Sequence, residues 1–228
     1  MPVLPQALRR LAATKLRDEP RLRALGLGTG LIPPRTMHSP AEAELLAELA
    51  GGARRVVEVG VYEGSSAQLL VGAVPAGAEI HLIDPFGAHA SALPAGWGAT
   101  EWAGRRVVRR AQARAADADG AAPEVVWHIA LSEEVARRWT EPVDLVFVDG
   151  DHSEPACELD WKLWSRFVSS EGHVAFHDAR ADRPGGRGLP GPTAVVSRHF
   201  RGAGADPGWV VAAEVDRTVV VRRRGGRS

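Results

Sequence analysis

The chain has 228 residues, enough for one medium-sized domain with a substantial buried core. Its 28 basic and 28 acidic residues cancel, so the overall charge gives no indication of a nucleic-acid or anionic-membrane partner. Cys157 is the single cysteine, which excludes an intrachain disulfide and a cysteine-rich metal site, and no run of residues approaches a membrane span. We therefore expect a cytoplasmic protein that binds neither nucleic acid nor membrane.

The first 38 residues are predicted to form an N-terminal helical segment followed by a covering loop. Residues 1–27 have the pattern of one or two short basic amphipathic helices with a break at Pro20, suited to packing or to contacts in a homodimer. A Gly/Pro-rich linker is predicted over residues 26–34. The loop of residues 35–38 would then lie across the mouth of a ligand site.

Residues 56–70 combine a short β-branched strand, a glycine turn and the start of a helix. Gly60 and Gly64 allow a tight turn and a close approach of the backbone to a ligand. Unpaired N–H groups at the start of the helix would meet polar groups of that ligand, and Glu58 would suit a ligand that carries an ammonium group. The spacing lacks the G-x-G-x-x-G of dinucleotide sites. An ordinary α/β turn without a ligand is the alternative.

The second predicted strand, residues 79–83, ends in Asp84. Each oxygen of a carboxylate at this place can accept a hydrogen bond from one ribose hydroxyl, although a solvent-facing loop Asp is the competing interpretation. Residues 85–102 follow as a loop rich in Gly, Ala and aromatic residues, and its His89, Trp97 and Trp102 suggest a lid over a substrate. After the third strand, Ser132 either cradles part of a ligand or caps the helix of residues 133–139.

Ionisable residues follow the two most apolar strands. The strand of residues 143–148 ends in Asp149, with His152 three residues later, and the strand of residues 173–177 is followed by Asp178. If these strands are neighbours, Asp149 converges with His177 and Asp178 at the carboxyl edge of the sheet, where open α/β sheets hold their ligands. Such a cluster could hold a hard divalent cation such as Mg²⁺, or could be a metal-free hydrogen-bonded group.

His152 is the candidate general base, because an imidazole titrates near neutral pH and can take a proton from a hydroxyl. The alternatives are a histidine that caps the next helix or one that touches the edge of a cofactor.

Residues 39–228 are predicted to form a single domain. The strands alternate with helices, which predicts a doubly wound α/β sheet of about seven mostly parallel strands. The exception is a closing antiparallel hairpin over residues 208–221, with Asp216 and Arg217 at its turn.

Four motifs in this order resemble class I S-adenosylmethionine-dependent methyltransferases. They are EVGVYEGSSA at 58–67, IHLID at 80–84, DGDHS at 149–153 and FHD at 176–178. The chain is especially similar to the catechol O-methyltransferase-like group and to the macrocin O-methyltransferase type (methyltransferase 24) of antibiotic biosynthesis. The resemblance implies a Rossmann-like fold, S-adenosylmethionine as cofactor and a small-molecule hydroxyl as acceptor. The residues implied in cofactor binding are Glu58, Gly60, Tyr62, Gly64, Ser66, Asp84, Ser132 and Asp149.

The resemblance also implies a metal site. In the catechol enzymes the matching positions bind the ion, and here they are Asp149, His177 and Asp178. His177 departs from the oxygen ligand expected there, which favours Mn²⁺ or a softer ion over Mg²⁺. His152 stands where those enzymes have a catalytic lysine, so Asp149 and His152 are the implied catalytic pair. N-methylation, and a non-catalytic cofactor-binding subunit, are the alternative functions.

Overall fold

The computed structural model describes residues 19–89, 98–180 and 188–225. Seven strands form one sheet in the order β3-β2-β1-β4-β5-β7-β6. The strands are β1 Arg55–Val59, β2 Glu79–Ile83, β3 Glu124–His128, β4 Val143–Val148, β5 Val168–Phe176, β6 Trp209–Val215 and β7 Thr218–Arg223. The first five are parallel, and β7 runs antiparallel to both β5 and β6. The predicted mostly parallel sheet and its closing hairpin are therefore confirmed.

Helices cover both faces of this sheet. They are α1 Pro20–Thr29, α2 Pro40–Gly51, α3 Ser65–Ala73, α4 Gly98–Asp119, α5 Ser132–Ala136, α6 Glu154–Trp164 and α7 Pro190–Phe200. Because successive side chains of a strand point to opposite faces, Val56 and Val57 enter different cores. Val56 packs in the core formed with α2, α3 and α4, and Val57 in the core formed with α5, α6 and α7. Burial on both faces explains the nearly continuous apolar strands.

The register of the central strands fixes what meets at the carboxyl edge. Val59 at the end of β1 pairs with Val148 at the end of β4, and Val148 pairs with Phe176 at the end of β5. The residues that follow these three strands therefore start from the same level of the sheet. Order along the sheet reverses at β1, which lies between β2 and β4, so the edge opens into a crevice there.

The N-terminal helix α1 corrects two predictions. The linker predicted to begin at residue 26 is wrong over its first part, because α1 continues to Thr29 and ends at Gly30 with φ +80°. A Cβ on Gly28 would lie 2.0 Å from the Trp102 ring, so glycine at this position allows α1 to pack against α4. Trp102 accordingly belongs to α4 and contacts α1, where a lid loop was expected.

Some predictions fall on residues outside the described ranges. They are the first predicted helix in residues 1–18 and residues 90–97 of the predicted lid. Among the helices that the structure describes, none combines the length and apolarity needed to cross a bilayer.

Candidate active site

The glycine turn after β1 packs directly against the chain that follows β4. Gly60 has φ +90°, and a Cβ there would lie 2.2 Å from the carbonyl oxygen of Asp149. Tyr62 also has a left-handed backbone, at φ +50°, and Gly64 with φ +82° precedes the first turn of α3. Only glycine permits this approach at position 60, so the turn and Asp149 share one surface.

Asp84 holds the turn from the end of β2. Its Oδ2 accepts hydrogen bonds from the backbone N–H groups of Val61 and Tyr62, at 2.9 and 2.8 Å, and its Oδ1 accepts one from Phe86 at 2.8 Å. The side chain is buried. The solvent-facing interpretation of Asp84 is therefore wrong. Because a carboxylate oxygen has two lone pairs, these contacts leave acceptor capacity for a ligand hydroxyl, and ribose binding stays a prediction.

Glu58 lies beneath the turn and is completely buried. Its Oε1 accepts a hydrogen bond from the hydroxyl of Ser66, whereas its Oε2 has no hydrogen-bond partner among the described residues. Burial raises the pKa of the Glu58 carboxyl well above its usual range, and the nearby carboxylates of Asp149 and Asp84 raise it further. The backbone N–H groups of Val61 and Tyr62 in the turn are bound by Asp84 and not by Glu58. A ligand with a positive charge would stabilise the ionised form of Glu58.

Glu63, between the two glycines, connects the turn to the N-terminal segment. Its carboxylate forms a two-pronged ion pair with Arg23 of α1, with N–O distances of 2.5 and 2.6 Å, and both residues are buried. It also accepts a hydrogen bond from the backbone N–H of Arg35 at 2.7 Å, and the Arg35 guanidinium donates to the Tyr62 hydroxyl at 2.7 Å. Sequence analysis did not identify these contacts, since a lone Arg on a short helix carries no signal of its partner.

Four side chains converge where β4 and β5 end. Asp149 Oδ1 lies 2.9 Å from His177 Nδ1 and 3.3 Å from His152 Nε2. Asp178 Oδ2 lies 3.5 Å from His152 Nε2 and 3.6 Å from His177 Nδ1. The structure thus brings Asp149, His177 and Asp178 together, as the sequence predicted, and adds His152 to the same group.

Hydrogen bonds set the charges in this cluster. Burial alone would lower the pKa of the His177 imidazole, but its contacts with Asp149 and Glu42 raise that pKa to about 10. The hydrogen bond to Asp149 raises the pKa of His152 against an opposing effect of burial. Burial would raise the pKa of Asp149, yet the two imidazoles hold it below its usual range. The surrounding carboxylates therefore favour the protonated, imidazolium form of His177.

Two residues from distant parts of the chain complete this network. Arg217, at the turn of the β6–β7 hairpin, places Nη1 2.7 Å from Asp178 Oδ1. Glu42 of α2 accepts hydrogen bonds from the Arg217 backbone N–H and the Thr218 hydroxyl, each at 2.9 Å. Its Oε2 lies 3.9 Å from His177 Nε2, a distance for an ion pair and too long for a hydrogen bond. Sequence analysis gave Glu42 no place in the site and assigned the hairpin only to the sheet.

Exposure separates the two imidazoles. The side chain of His152 is 30% exposed, and that of His177 is 2% exposed. A molecule bound at this edge can therefore reach His152, whereas His177 is enclosed and contacts Asp149 from within the protein. That His152 meets the substrate stays a prediction.

The structure excludes one of the two expectations about the Ser132 hydroxyl, that it caps the following helix. Its Oγ accepts a hydrogen bond from the indole N–H of Trp164 at 2.8 Å. It is the first residue of α5, and the N-cap is Leu131, so Ser132 is not the cap of this helix. The helix ends at Ala136, three residues earlier than predicted. Contact of Ser132 with the cofactor's adenine stays a prediction.

The donor atoms of the cluster are suited to a first-row divalent ion. Two imidazole nitrogens and two carboxylate oxygens, from Asp149, His152, His177 and Asp178, lie within 4.8 Å of one another. This mixed set fits Mn²⁺ or a softer ion better than Mg²⁺, which prefers oxygen alone. Arg217 on Asp178 and the proton on His177 neutralise the same carboxylates, so an ion would have to displace that proton.

The chain matches a known protein family in sequence and solved structures in fold. Residues 57–179 match the family model described as "Methyltransferase domain". An O-methyltransferase from Bacillus cereus, solved with S-adenosylhomocysteine, is 15% identical with a TM-score of 0.59, and the alignment covers 94% of this chain and 97% of that one.

Two further solved structures come from natural-product pathways. The O-methyltransferase TomG of Streptomyces achromogenes, involved in tomaymycin synthesis, is 18% identical with a TM-score of 0.54, covering 97% of this chain and all of the other (100%). CalS11, a TDP-rhamnose 3′-O-methyltransferase of calicheamicin biosynthesis, is 12% identical with a TM-score of 0.53, covering 97% and 96%. At these identities the structures show a shared fold. Since the family model spans more than half of the chain, the protein belongs to the Methyltransferase domain family of class I S-adenosylmethionine-dependent methyltransferases.

Proposed function

We propose that this protein is an S-adenosylmethionine-dependent O-methyltransferase that methylates a hydroxyl of a small molecule in natural-product biosynthesis. The supporting observation is the double role of Asp149. Its backbone packs against Gly60 of the glycine turn, and its carboxylate binds His152. One residue thus connects the turn that would hold the methyl donor to the base that would act on the acceptor. The fold shared with TomG and CalS11 supports the natural-product setting.

The residues of the turn fit the cofactor. Glu58 Oε2 is a buried carboxylate oxygen without a partner among the described residues, as expected if it serves the positive charge of the methionine part. Gly60, Tyr62, Gly64 and Ser66 would cradle the methionine part. The same proposal assigns Asp84 to the ribose, where the lone pair left on Oδ1 would accept a hydrogen bond from one hydroxyl, with Ser132 and Asp149 bordering the rest of the cofactor.

His152 would prepare the acceptor. Asp149 accepts from Nε2–H, which fixes the tautomer and leaves Nδ1 to take the hydroxyl proton as the acceptor oxygen attacks the methyl group. Bound S-adenosylmethionine would supply the methyl group from its sulfonium and be converted to S-adenosylhomocysteine, while His152 would hold the proton released by the acceptor hydroxyl. Positioning and deprotonation are the main contributions the protein can make to such an in-line transfer.

A divalent ion would be held by Asp149, His177 and Asp178. When bound, it would acidify an acceptor hydroxyl coordinated to it. Without it, the imidazolium of His177 and the guanidinium of Arg217 balance the two carboxylates. A homodimer and a cytoplasmic location also stay predictions.

Isothermal calorimetry with S-adenosylhomocysteine tests the proposal. We expect a dissociation constant in the micromolar range, equivalent to about 7–9 kcal/mol. Asp84→Ala would remove the acceptor for two turn N–H groups and for the ribose, and should weaken binding by about 1–3 kcal/mol. Absence of binding to the wild type would end the methyltransferase proposal. Transfer of a labelled methyl group to an amine, with no transfer to hydroxyls, would favour the N-methyltransferase alternative.

A further inference from the structure

Arg180 is a buried cation beside the candidate active site that the proposed chemistry does not use. It follows Asp178 by two residues, and only 2% of it is exposed. The intervening Ala179 donates its backbone N–H to the carbonyl of Arg217 at 2.8 Å, so this short segment is fixed against the hairpin turn. The backbones of Asp178 and Arg180 can be at most about 7 Å apart, since two residues span no more than that.

The guanidinium of Arg180 has fewer partners than its burial requires. Nη2 lies 3.2 Å from Oε2 of Glu214 on β6. Nε and Nη1 are buried and have no hydrogen-bond partner among the described residues. Buried polar groups without partners are rare in folded proteins, and a charged group costs more to leave unpaired than a neutral one.

A purely structural role for Arg180 would leave this arrangement unexplained. Glu214 already has a cation, because the Arg201 guanidinium donates to its Oε1 at 2.7 Å. Glu214 is also partly exposed, with 31% of its side chain accessible, so water can contribute to its solvation. The carboxylate therefore does not require a second, fully buried guanidinium. An anion would provide hydrogen-bond acceptors for the two remaining donor nitrogens of Arg180, Nε and Nη1.

We propose that Arg180 binds an anionic group, a carboxylate or a phosphoryl group, on the acceptor substrate. This inference rests on the proposed methyl transfer and narrows its substrate class. The reacting hydroxyl would face His152, and the anionic group would accept hydrogen bonds from Nε–H and Nη1–H of Arg180. A guanidinium already removed from water loses little further hydration when it binds an anion, so it discriminates strongly in favour of charged acceptors over neutral ones.

Simple anions can probe this site without knowledge of the acceptor. The full chain, saturated with S-adenosylhomocysteine, is titrated with sodium phosphate or with sodium acetate at constant ionic strength, and sodium chloride is the reference. Arginine Nε–H signals are followed by ¹H–¹⁵N NMR, and the Arg180 signal is assigned by its absence in Arg180→Lys. We expect that signal to move saturably with phosphate or with acetate and to stay unchanged with chloride.

Thermal unfolding supplies the matched comparison. The anion that moves the Arg180 signal should also raise the midpoint temperature of thermal unfolding of the wild type. It should do the same for the control variant Arg201→Gln, which removes the other cation on Glu214. Arg180→Gln should bind the anion about tenfold more weakly or worse, because it loses the charged donors. Arg180→Lys keeps the charge and serves if the Gln variant does not fold.

The outcomes separate the possibilities. A response to phosphate alone identifies a phosphoryl acceptor, and a response to acetate alone identifies a carboxylate acceptor. No movement of the Arg180 signal with either anion, or equal anion stabilisation of wild type and Arg180→Gln, overturns the inference and leaves Arg180 as a support for Glu214. Binding of S-adenosylhomocysteine is measured on the same samples, so failure of the anion site is distinguishable from failure of the proposed function.

Discussion

Arg23 and Glu63 are 40 positions apart in the sequence, yet they form a buried, two-pronged ion pair that joins helix α1 to the glycine turn. This contact makes the N-terminal helix part of the candidate cofactor site. A buried ion pair is destabilising to break, because removal of one partner leaves the other charge unpaired. The turn conformation should therefore depend on a residue far outside the motif.

We expect Arg23→Met to weaken S-adenosylhomocysteine binding about tenfold or more, because Glu63 would lose its partner and the turn its fixed geometry. Calorimetry at a temperature where the variant is fully folded is the measurement. Arg21→Met is the matched control, since Arg21 lies on the same helix and is exposed. An unchanged affinity in folded Arg23→Met would show that the pair stabilises the fold without shaping the turn.

Glu58 should make stability depend on pH. Because burial raises its pKa in the folded protein above the ordinary value, the folded state binds the proton more tightly than the unfolded state. The stabilisation is therefore complete below the ordinary glutamate pKa and declines as pH rises toward the folded value. Glu58→Gln does not titrate, so in the absence of cofactor its melting temperature should exceed that of the wild type increasingly as pH rises.

The free energy of unfolding should differ between the two proteins by about 1–3 kcal/mol, the cost of one buried, unpaired polar group. For a chain of this length, each kcal/mol corresponds to roughly 2–4 °C in melting temperature. The same variant should bind S-adenosylhomocysteine more weakly if Glu58 serves the cofactor's positive charge. A melting-temperature difference that is constant across pH would contradict the assigned protonation of Glu58.

His152→Ala should lower turnover by about 10²–10⁴-fold, the usual scale for a positioned general base. Cofactor affinity should hardly change. In the wild type, activity should rise with pH as the imidazole loses its proton, with a midpoint above the ordinary histidine value because the hydrogen bond to Asp149 raises the pKa. Rates measured across pH with the true acceptor decide the matter. Wild-type turnover and an unchanged profile in the variant would assign the proton transfer to another group.

Chelation tests the metal. If Asp149, His177 and Asp178 hold an ion, EDTA should abolish activity, and Mn²⁺ should restore it better than Mg²⁺ because one ligand is an imidazole. Binding of S-adenosylhomocysteine should persist in EDTA, which provides the control for folding. Full activity in excess chelator would show that His177 and Arg217 neutralise the cluster without an ion.

The glycine turn of the candidate cofactor site could be predicted from local sequence alone. Gly60 and Gly64 could be identified from the sequence because a strand, a turn and a helix start leave short-range signals in residue type and spacing. The convergence of Asp149 with His177 was predictable for a related reason. Parallel strands end at one edge, so the residues after two neighbouring strands must meet.

Pairings between distant segments were not predictable, because side-chain type does not specify a partner. Nothing in the sequence near Arg23 points to Glu63, and nothing near Arg217 points to Asp178. Trp102 was assigned to a lid because its neighbours have loop composition, but a glycine on α1 allows its partly exposed ring to pack against that helix.

The sequence by itself therefore determined the fold class, the methyltransferase motifs and the residues that the sheet must bring to one edge. Only the tertiary structure decided which charges neutralise one another and which histidine is exposed, because burial and partner choice depend on segments that are distant in the chain and adjacent in space. Asp84 illustrates both contributions, that of the sequence and that of the tertiary structure. Its position was read from the sequence, whereas its hydrogen bonds to the glycine turn depend on how β1 and β2 lie side by side.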